Sequence, residues 1–266
     1  MKDELGDRIK GFYEDRTRFL LPRRTYTILR IDGKAFHTYT RDLKQPFDDG
    51  LIEDMDATAC YLCKNIQGSK FAFVQSDEIS ILMTDFDIIG TDAWFDGNIQ
   101  KIVSVAAGLA TAEFNRLRLL RGCNNNGGDI DESALKNMKF ATFDARVFTI
   151  PANYEVENYM IWRQKDATRN SISSVARSLY SQKEVDGKNS DQKQEMIFQK
   201  GINWNDYPPM FKRGRFIQKE IRILETPFVA VDKKQTTYER SVWVSVECPI
   251  FTQDREFLRK KIPNQD

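Results

Sequence analysis

Short runs rich in apolar and β-branched residues recur along the chain, and each predicts a β-strand. Two such runs cover residues 25–32 and 139–150. Residues 70–76 and 78–84 predict either one bent strand or a hairpin that turns at residues 75–78. The first half of the chain therefore contains the strands of a sheet.

Apolar residues at helical spacing predict helices between these strands, over residues 51–66 and 98–119. A short amphipathic helix within residues 1–18 precedes the first strand, and residues 34–49 are expected to be irregular. The resulting order, β-α-β-β-α-β, is the ferredoxin-like arrangement. Polymerase palms and nucleotidyl cyclases share it with many unrelated proteins, so the order predicts an α+β fold and decides no function.

The carboxyl-terminal part of the chain shows a different pattern. Helical spacing predicts a long helix over residues 153–182. The polar residues 183–200 predict a mobile loop before a short helix near 191–199. Strand-like runs follow at 214–222 and 241–248.

Composition and charge allow one sizeable core. The chain has 266 residues, of which 41% are hydrophobic, so it can fold without disulfide or metal staples. We predict a palm-like core over residues 1–150 and a helical, basic extension over residues 151–266 that packs on it. Lys and Arg number 40 against 39 Asp and Glu, so any basic surface must be local.

Cysteine and histidine usage argues against several kinds of chemistry. Cys60 and Cys63 form a C-x-x-C within a helical pattern and without a second such pair, which favours buried thiols over a zinc site. His37 is the single histidine, so only it could serve a Ser-His-Asp triad. The sequence shows no signal peptide and no apolar run of roughly 20 residues, so we expect a cytoplasmic protein.

Carboxylates at the ends of neighbouring predicted strands carry the most specific signal. Asp32 closes the first strand, and Asp77 and Glu78 lie at the predicted turn between the next two. If those strands pair, Asp32 and Asp77 converge on one edge, where they repel each other unless a cation lies between them. Two Mg²⁺ ions held by shared aspartates are a common apparatus for nucleotide transfer. Strand alternation would point Glu78 away from Asp77.

Residues 34–37 follow Asp32 and Gly33 directly. Their backbone amides and Lys34 could hold a triphosphate, and Phe36 or His37 could contact a base or a sugar. Such residues are usually ordinary surface and core, but their closeness to the acidic site favours a functional interpretation.

Basic residues elsewhere could hold a polyanion by neutralising its phosphates, or could simply remain solvated. Arg169 and Asn170 lie on the predicted long helix. Further clusters lie in the carboxyl-terminal part: Lys212-Arg213-Gly214-Arg215, Lys233-Lys234 and Arg259-Lys260-Lys261.

Five motifs, in order and over most of residues 1–220, resemble the tRNA-His guanylyltransferase superfamily. They are Arg30-Ile31-Asp32-Gly33-Lys34-Ala35-Phe36-His37, Gln75-Ser76-Asp77-Glu78, Phe143-Asp144-Ala145-Arg146-Val147, Trp162-Arg163-Gln164-Lys165-Asp166 and Pro209-Met210-Phe211-Lys212-Arg213-Gly214. The resemblance implies a palm fold and a reverse polymerase that adds nucleotides to a tRNA 5′ end. The 5′ phosphate is activated with ATP or GTP, or arrives as a triphosphate, and the 3′-hydroxyl of an incoming NTP then attacks it.

The resemblance also implies roles for single residues. Two Mg²⁺ would be held by Asp32, Asp77 and the carbonyl of Gly33, with Glu78 as a further catalytic residue. The nucleotide would contact Asp32, Gly33, Lys34, Ala35, Phe36, His37, Ser76 and Asp77. The tRNA or its triphosphate would contact Arg169, Asn170, Lys212, Arg213 and Arg215. The expected partners are tRNA and NTPs, without a membrane, and the expected assembly is a homodimer or a dimer-based homotetramer.

One departure from the family pattern directs the choice of substrate. Eukaryotic guanylyltransferases carry a His-Ile-Asn-Asn-Leu-Tyr-Asn stretch, whereas the run here begins Thr168-Arg169-Asn170-Ser171 and lacks the histidine. The chain is similar in this respect to the bacterial and archaeal guanylyltransferase-like proteins. The expected function is therefore template-dependent repair of 5′-truncated tRNA, and the alternative is addition of guanosine at position −1 of tRNA-His.

Two other functions remain open on the residues alone. A palm-type nucleotide cyclase would use the same aspartates and magnesium. A non-enzymatic RNA-binding module would keep the acidic pairs as structural features.

Overall fold

The computed structural model describes residues 3–125, 139–225 and 237–265. Its strands are β1 (Tyr26–Gly33), β2 (Ser69–Gln75), β3 (Glu78–Met83), β4 (Phe143–Ile150), β5 (Arg215–Glu225) and β6 (Thr237–Glu247). Its α-helices are α1 (Glu4–Phe12), α2 (Phe36–Tyr39), α3 (Asp49–Asn65), α4 (Ile99–Asn125), α5 (Asn153–Leu179), α6 (Gln182–Val185), α7 (Ser190–Gln199), α8 (Pro209–Arg213) and α9 (Arg255–Arg259).

The six strands form one antiparallel sheet in the order β4-β1-β3-β2-β5-β6. β2 and β3 pair as a hairpin, which decides between the two arrangements that the sequence left open. β1 lies between β3 and β4, so Asp32 is directly opposite Glu78 on one side and Asp144 on the other. The predicted α+β class is confirmed, and the ends of β1, β2 and β3 meet at one edge.

Helices cover both faces of the sheet because each strand alternates its side chains between them. On one face α3 and α4 pack against Leu29, Ile31 and Val74 through residues such as Met55 and Phe114. Asp48 caps α3, since its side chain accepts a hydrogen bond from the N–H of Leu51 at 2.7 Å.

The opposite face of the sheet packs against α5 and the carboxyl-terminal segment. Ile28, Phe73 and Phe216 meet Met160 of α5 and Phe251 in a second fully buried cluster. Because β5 pairs with β2, this cluster joins both parts of the chain around one sheet. The sheet therefore holds α5 directly beside the edge where Asp32 lies.

Within residues 183–200, the predicted short helix near 191–199 is confirmed by α7, and the loop predicted before it is shortened by α6, which ends at Val185. Most of this segment is helical, in α6 and α7. Ser181 with Glu184 and Asn189 with Gln192 form capping boxes, in which side chains satisfy the free N–H groups at each helix start. Val185 and Ile197 of these helices are buried with Trp204 and the second half of α5.

Boundaries differ from the predicted ones at several ends, and residues 34–49, which were expected to be irregular, contain α2 and a 3₁₀ turn over Thr40–Asp42. The amino-terminal helix α1 ends at Phe12, and a 3₁₀ turn over Glu14–Thr17 follows it. None of the α1 residues is buried. Among the described helices, none is both long enough and apolar enough to cross a bilayer.

Candidate active site

Three residues predicted to bind metal meet at one edge of the sheet, which we call the acidic edge (Asp32, Gly33, Asp77). The N–H of Gly33 donates to the carbonyl oxygen of Asp77 at 3.2 Å, so the end of β1 touches the β2–β3 turn. Ser76 adopts a φ of 46° in this tight turn. The turn thus brings Asp77 beside Asp32, although the two are far apart along the chain.

The carboxylates of the acidic edge are electrostatically crowded. Burial, together with the charges of Asp32 and Glu78, raises the pKa of Asp77 to about 6, although hydrogen bonds within the turn oppose the shift. Asp32 has cationic neighbours instead, with its Oδ2 3.1 Å from Arg30 Nη2 and 4.0 Å from Arg146 Nη2. A cation bound between Asp32 and Asp77 would relieve their mutual repulsion.

The donor set of the acidic edge consists of oxygen atoms. Within the described ranges, no group of three or more His, Cys, Asp or Glu side chains is arranged around a common metal position. The candidate ligands are therefore two carboxylates and the backbone carbonyl of Gly33. Hard oxygen donors of this kind suit Mg²⁺, which usually keeps several water ligands and binds through one or two carboxylates.

Gly33 is required by close packing. A Cβ atom there would lie 2.2 Å from Cδ2 of Phe36, so any side chain would displace that ring. Phe36 is buried, and its ring packs against Phe114 and Phe143 with centroids 5.7 and 5.2 Å apart. Only the backbone of Phe36 is therefore placed to contact a nucleotide, whereas its ring belongs to the core.

The turn after β1 exposes groups that can bind phosphate. Lys34, Ala35 and His37 are exposed, and Ala35 adopts a left-handed conformation with a φ of 53°. The helix α2 begins at Phe36, and the first N–H groups of a helix have no intrahelical acceptor. Exposed residues with amide groups and a lysine side chain therefore follow Asp32 directly along the chain.

Glu78 has a different environment from the other two acidic residues. It is buried, and Arg163 of α5 donates to both of its carboxylate oxygens, at 2.7 and 2.5 Å. Arg30 approaches the same carboxylate at 2.8 Å. We call these three residues the ion-pair cluster (Arg30, Glu78, Arg163).

The ion-pair cluster contains functional candidates that the sequence did not reveal. Arg30 and Arg163 were only parts of quoted motifs, and neither was predicted as a site residue. A signal did exist for Arg30, which lies two residues before Asp32 and hence on the same face of β1. Arg163 gave no such signal, because its contact with Glu78 joins residues 85 positions apart.

A cleft of about 160 Å³ opens beside Ser76, and we call it the aromatic cleft. Its walls come from residues 40–48, the start of α3, the middle of α5, and α8. The rings of Phe47 and Phe211 stack there with centroids 4.8 Å apart and planes inclined by 14°. Asn170, Gln75 and Arg215 supply polar groups to its lining.

The predicted tRNA or triphosphate residues fall into two groups. Arg169 is about half exposed and pairs with Asp166 at 2.7 Å, and Asn170 lines the aromatic cleft. Lys212 is buried, its Nζ donates to the carbonyl oxygen of Asn205 at 2.6 Å, and burial lowers its pKa. Arg169 and Asn170 are therefore accessible to a ligand, whereas Lys212 already has a protein partner.

The remaining predicted cations differ in their exposure and in their partners. Arg215 is buried and pairs through Nε with Oδ1 of Asp56 at 2.8 Å, while Arg213 is partly exposed at the end of α8. Arg259 pairs with Glu157 at 2.9 Å. Lys233 and Lys234 lie outside the described residues.

Comparisons with known proteins find similarity over most of the chain. Residues 6–151 match the family model for tRNAHis guanylyltransferase (Thg1). The tRNA(His) guanylyltransferase of Saccharomyces cerevisiae is 25% identical over 225 residues, which are 79% of this chain and 89% of that protein. The Debaryomyces hansenii enzyme of the same name is 28% identical over 219 residues, 77% of each chain.

Solved structures extend the similarity to the whole chain. A bacterial tRNA(His) guanylyltransferase (Thg1)-like protein in complex with ATP is 39% identical, with a TM-score of 0.80 over 98% of this chain and 100% of that one. Its complex with GTP gives a TM-score of 0.77 over the same shares. The Saccharomyces cerevisiae tRNA(His) guanylyltransferase, 23% identical with a TM-score of 0.62 over 87% of this chain and 94% of its own, shares the fold.

Proposed function

Because this chain belongs to the tRNAHis guanylyltransferase family, we propose that it adds nucleotides to the 5′ end of tRNA in the 3′–5′ direction. The chain is a nucleotidyltransferase that acts on tRNA. The observation that carries the proposal is the convergence of Asp32, Gly33 and Asp77 beside the aromatic cleft. One edge of the sheet would thus provide ligands for metal, phosphate and base together.

Addition of guanosine to tRNA-His is the better supported choice of substrate. The curated relatives are guanylyltransferases of tRNA(His), and they favour this activity over the 5′-end repair that the sequence led us to expect. Repair remains a second candidate because Thr168 stands where the eukaryotic motif begins with histidine. The higher identity to a guanylyltransferase-like bacterial protein points the same way.

The residues of the acidic edge fit magnesium. Asp32, Asp77 and the carbonyl of Gly33 would hold two Mg²⁺, because they are hard oxygen donors and because the crowding of Asp77 favours a neighbouring cation. When bound, the ions would supply positive charge to the attacking 3′-hydroxyl and to the departing phosphate group. The protein itself would fix both carboxylates through the Gly33–Asp77 contact.

The nucleotide would lie between the acidic edge and the aromatic cleft. The amides of residues 35–37 and the ammonium group of Lys34 would bind its phosphates. Phe47 and Phe211 would form an apolar wall for the base, as in aromatic-lined nucleotide sites. ATP and GTP are both candidates for the activating nucleotide, since the bacterial Thg1-like protein has been solved with each.

Glu78 would act by positioning rather than by contact with the nucleotide. Its carboxylate is held by Arg30 and Arg163, so it links β1, β3 and α5 at the acidic edge. Arg30 also lies 3.1 Å from Asp32, so the same arginine would help to hold this candidate metal ligand in place.

The fold supports a palm-like core with an RNA-binding extension. β1-α3-β2 and β3-α4-β4 place both connecting helices on one face, with the acidic edge at the strand ends, as a palm requires. Arg169 and Arg213 of the extension would contact the tRNA through phosphates. The exposed apolar side chains of α1, Leu5 and Phe12 among them, are suitable for a contact between two copies in a homodimer.

The proposal is tested with three 5′-labelled transcripts: tRNA-His without its −1 nucleotide, a second tRNA of full length, and that second tRNA lacking its first nucleotide. Each is incubated with Mg²⁺, ATP and one NTP at a time. Guanosine added only to tRNA-His supports the main proposal, and addition of the templated base to the truncated tRNA supports repair. No incorporation would contradict both, and cyclic nucleotide formed from NTP alone would identify a cyclase.

A further inference from the structure

Arg215 presents a hydrogen-bond donor that has no acceptor in the described part of the chain. Its Nη2 is buried and has no hydrogen-bond partner, although a buried guanidinium normally has its N–H groups satisfied. The residue also lines the aromatic cleft. A buried donor without an acceptor is costly, so its retention at a ligand cleft points to an acceptor on the ligand.

The position of Arg215 is tightly determined. Gly214 precedes it with a φ of 80°, and a Cβ atom there would lie 2.7 Å from the carbonyl oxygen of Val74. This close approach of β5 to β2 places the start of β5 at the end of the cleft. The Nε atom is held by Asp56, whose other carboxylate oxygen accepts from Ser245 at 2.6 Å. The guanidinium therefore cannot turn freely towards another acceptor.

The pairing with Asp56 limits what the free Nη2 can recognise. A guanidinium and a carboxylate in contact carry no net charge, so the pair attracts a phosphate group less than a lone arginine would. A neutral acceptor atom is the better match. The stacked rings of Phe47 and Phe211 make the same cleft suitable for a flat aromatic ligand.

We propose that Arg215 is a base-recognising residue whose Nη2 donates to N7 of the purine of the bound nucleoside triphosphate. This inference rests on the proposed nucleotide site and assigns a residue to it. N7 is an acceptor in both adenine and guanine, which suits a protein whose bacterial relative has been solved with ATP and with GTP. Gln75 also lines this cleft, and its Oε1 has no hydrogen-bond partner among the residues that the structure describes. This oxygen could accept a hydrogen bond from an N–H group elsewhere on the purine.

The test uses 7-deaza-ATP, in which a C–H group replaces N7 and the shape of the base is kept. Binding of ATP and of 7-deaza-ATP to the full chain is measured by calorimetry with Mg²⁺ and without tRNA. The natural sequence should bind ATP roughly ten-fold or more tightly than 7-deaza-ATP, which corresponds to a hydrogen bond from a charged donor. R215M should bind the two nucleotides equally.

Matched variants separate base recognition from structural support. R215M leaves Asp56 without its cation, so R215M/D56N serves as a second variant that removes both charges and should also bind the two nucleotides equally. D56N and S245A disturb the support of Arg215 but keep its donor, and they should retain the preference for ATP. Circular dichroism and thermal unfolding establish that each variant is folded.

Three outcomes would overturn the inference. Equal binding of ATP and 7-deaza-ATP by the natural sequence would show that the protein does not recognise N7. A preference for ATP that persists in R215M or R215M/D56N would show that another residue recognises N7. Absence of binding of either nucleotide would contradict the proposed nucleotide site as well, so failure of the inference and failure of the proposed function give different results.

Discussion

Asp77 of the acidic edge and Glu78 of the ion-pair cluster are adjacent along the chain, yet their carboxylates have opposite electrostatic environments. Glu78 is buried and receives Arg30 and Arg163 as partners, so its charge is balanced within the protein. Asp77 is the next residue along the chain, but burial and acidic neighbours raise its pKa to about 6. Glu78, balanced by two arginines, therefore maintains the structure, whereas Asp77 has no such compensation from the described residues and is available to a cation.

The largest expected effect is a loss of activity, which should distinguish variants of the acidic edge from variants of the ion-pair cluster. Asp32→Ala or Asp77→Ala should abolish nucleotide addition, by on the order of 1,000-fold or more, because each removes a ligand for metals worth several kcal/mol in the transition state. Addition to the tRNA transcripts measures the loss, and thermal unfolding should show a native fold. Full Mg²⁺-dependent activity in either variant would remove the metal assignment.

The second largest expected effect is a loss of stability when the ion-pair cluster is broken. Arg163→Met removes the two hydrogen bonds to Glu78 and leaves a buried carboxylate with less charge compensation. The free energy of unfolding should fall by about 3–5 kcal/mol, as for other broken buried pairs. Chemical denaturation measures it, with Glu78→Gln/Arg163→Met as a control in which the carboxylate charge is also removed. Unchanged stability of Arg163→Met would show that the cluster does not support the fold.

A smaller effect, an increase in stability, is expected when Asp77 is replaced and no metal is bound. Its pKa is raised in the folded protein, so the unfolded state binds fewer protons and stability is lost as pH rises from about 4 through about 6. At pH 8 in EDTA, the free energy of unfolding of Asp77→Asn should therefore exceed that of the natural sequence by up to roughly 3 kcal/mol. Denaturation at pH 4 and pH 8 checks it, and a stability difference independent of pH would contradict it.

The smallest effect is expected at the exposed partner of Asp32. Arg146 lies 4.0 Å from Asp32 and is more than half exposed, so solvent screens the pair. Arg146→Ala should change the free energy of unfolding by about 0–1 kcal/mol, well below the effect of Arg163→Met. The same denaturation experiment compares the two, and equal losses would contradict the contrast between exposed and buried arginines.

Much of the fold could be predicted because its signals are local. The apolar spacing of α3 and α4 and the runs of β1 and β4 indicated the right elements, with errors confined to their ends. The short helix near residues 191–199 was predicted, but α6 was missed, because the polar composition before residue 190 resembles a loop and α6 depends on the Ser181 cap. Burial of Val185 and Ile197 against α5 then stabilises helices too short to form alone.

The candidate site divides in the same way. The proximity of Asp32 and Asp77 followed from placing two acidic residues at the ends of neighbouring predicted strands. The environment of Arg215 did not follow, since its partners Asp56 and Ser245 come from α3 and β6. A basic cluster in the sequence therefore gave no hint that one of its arginines is buried beside a cleft.

The order of strands and helices, the family and the acidic residues that the proposed chemistry requires could all be inferred from the amino-acid sequence, because they depend on residue type and short spacing. The balance between charges could not be inferred, because it arises from contacts in the folded chain. Arg163 reaches Glu78 across 85 positions, and Arg215 reaches Asp56 across 159. Such contacts are fixed by strand register and helix packing, which the charges themselves do not specify.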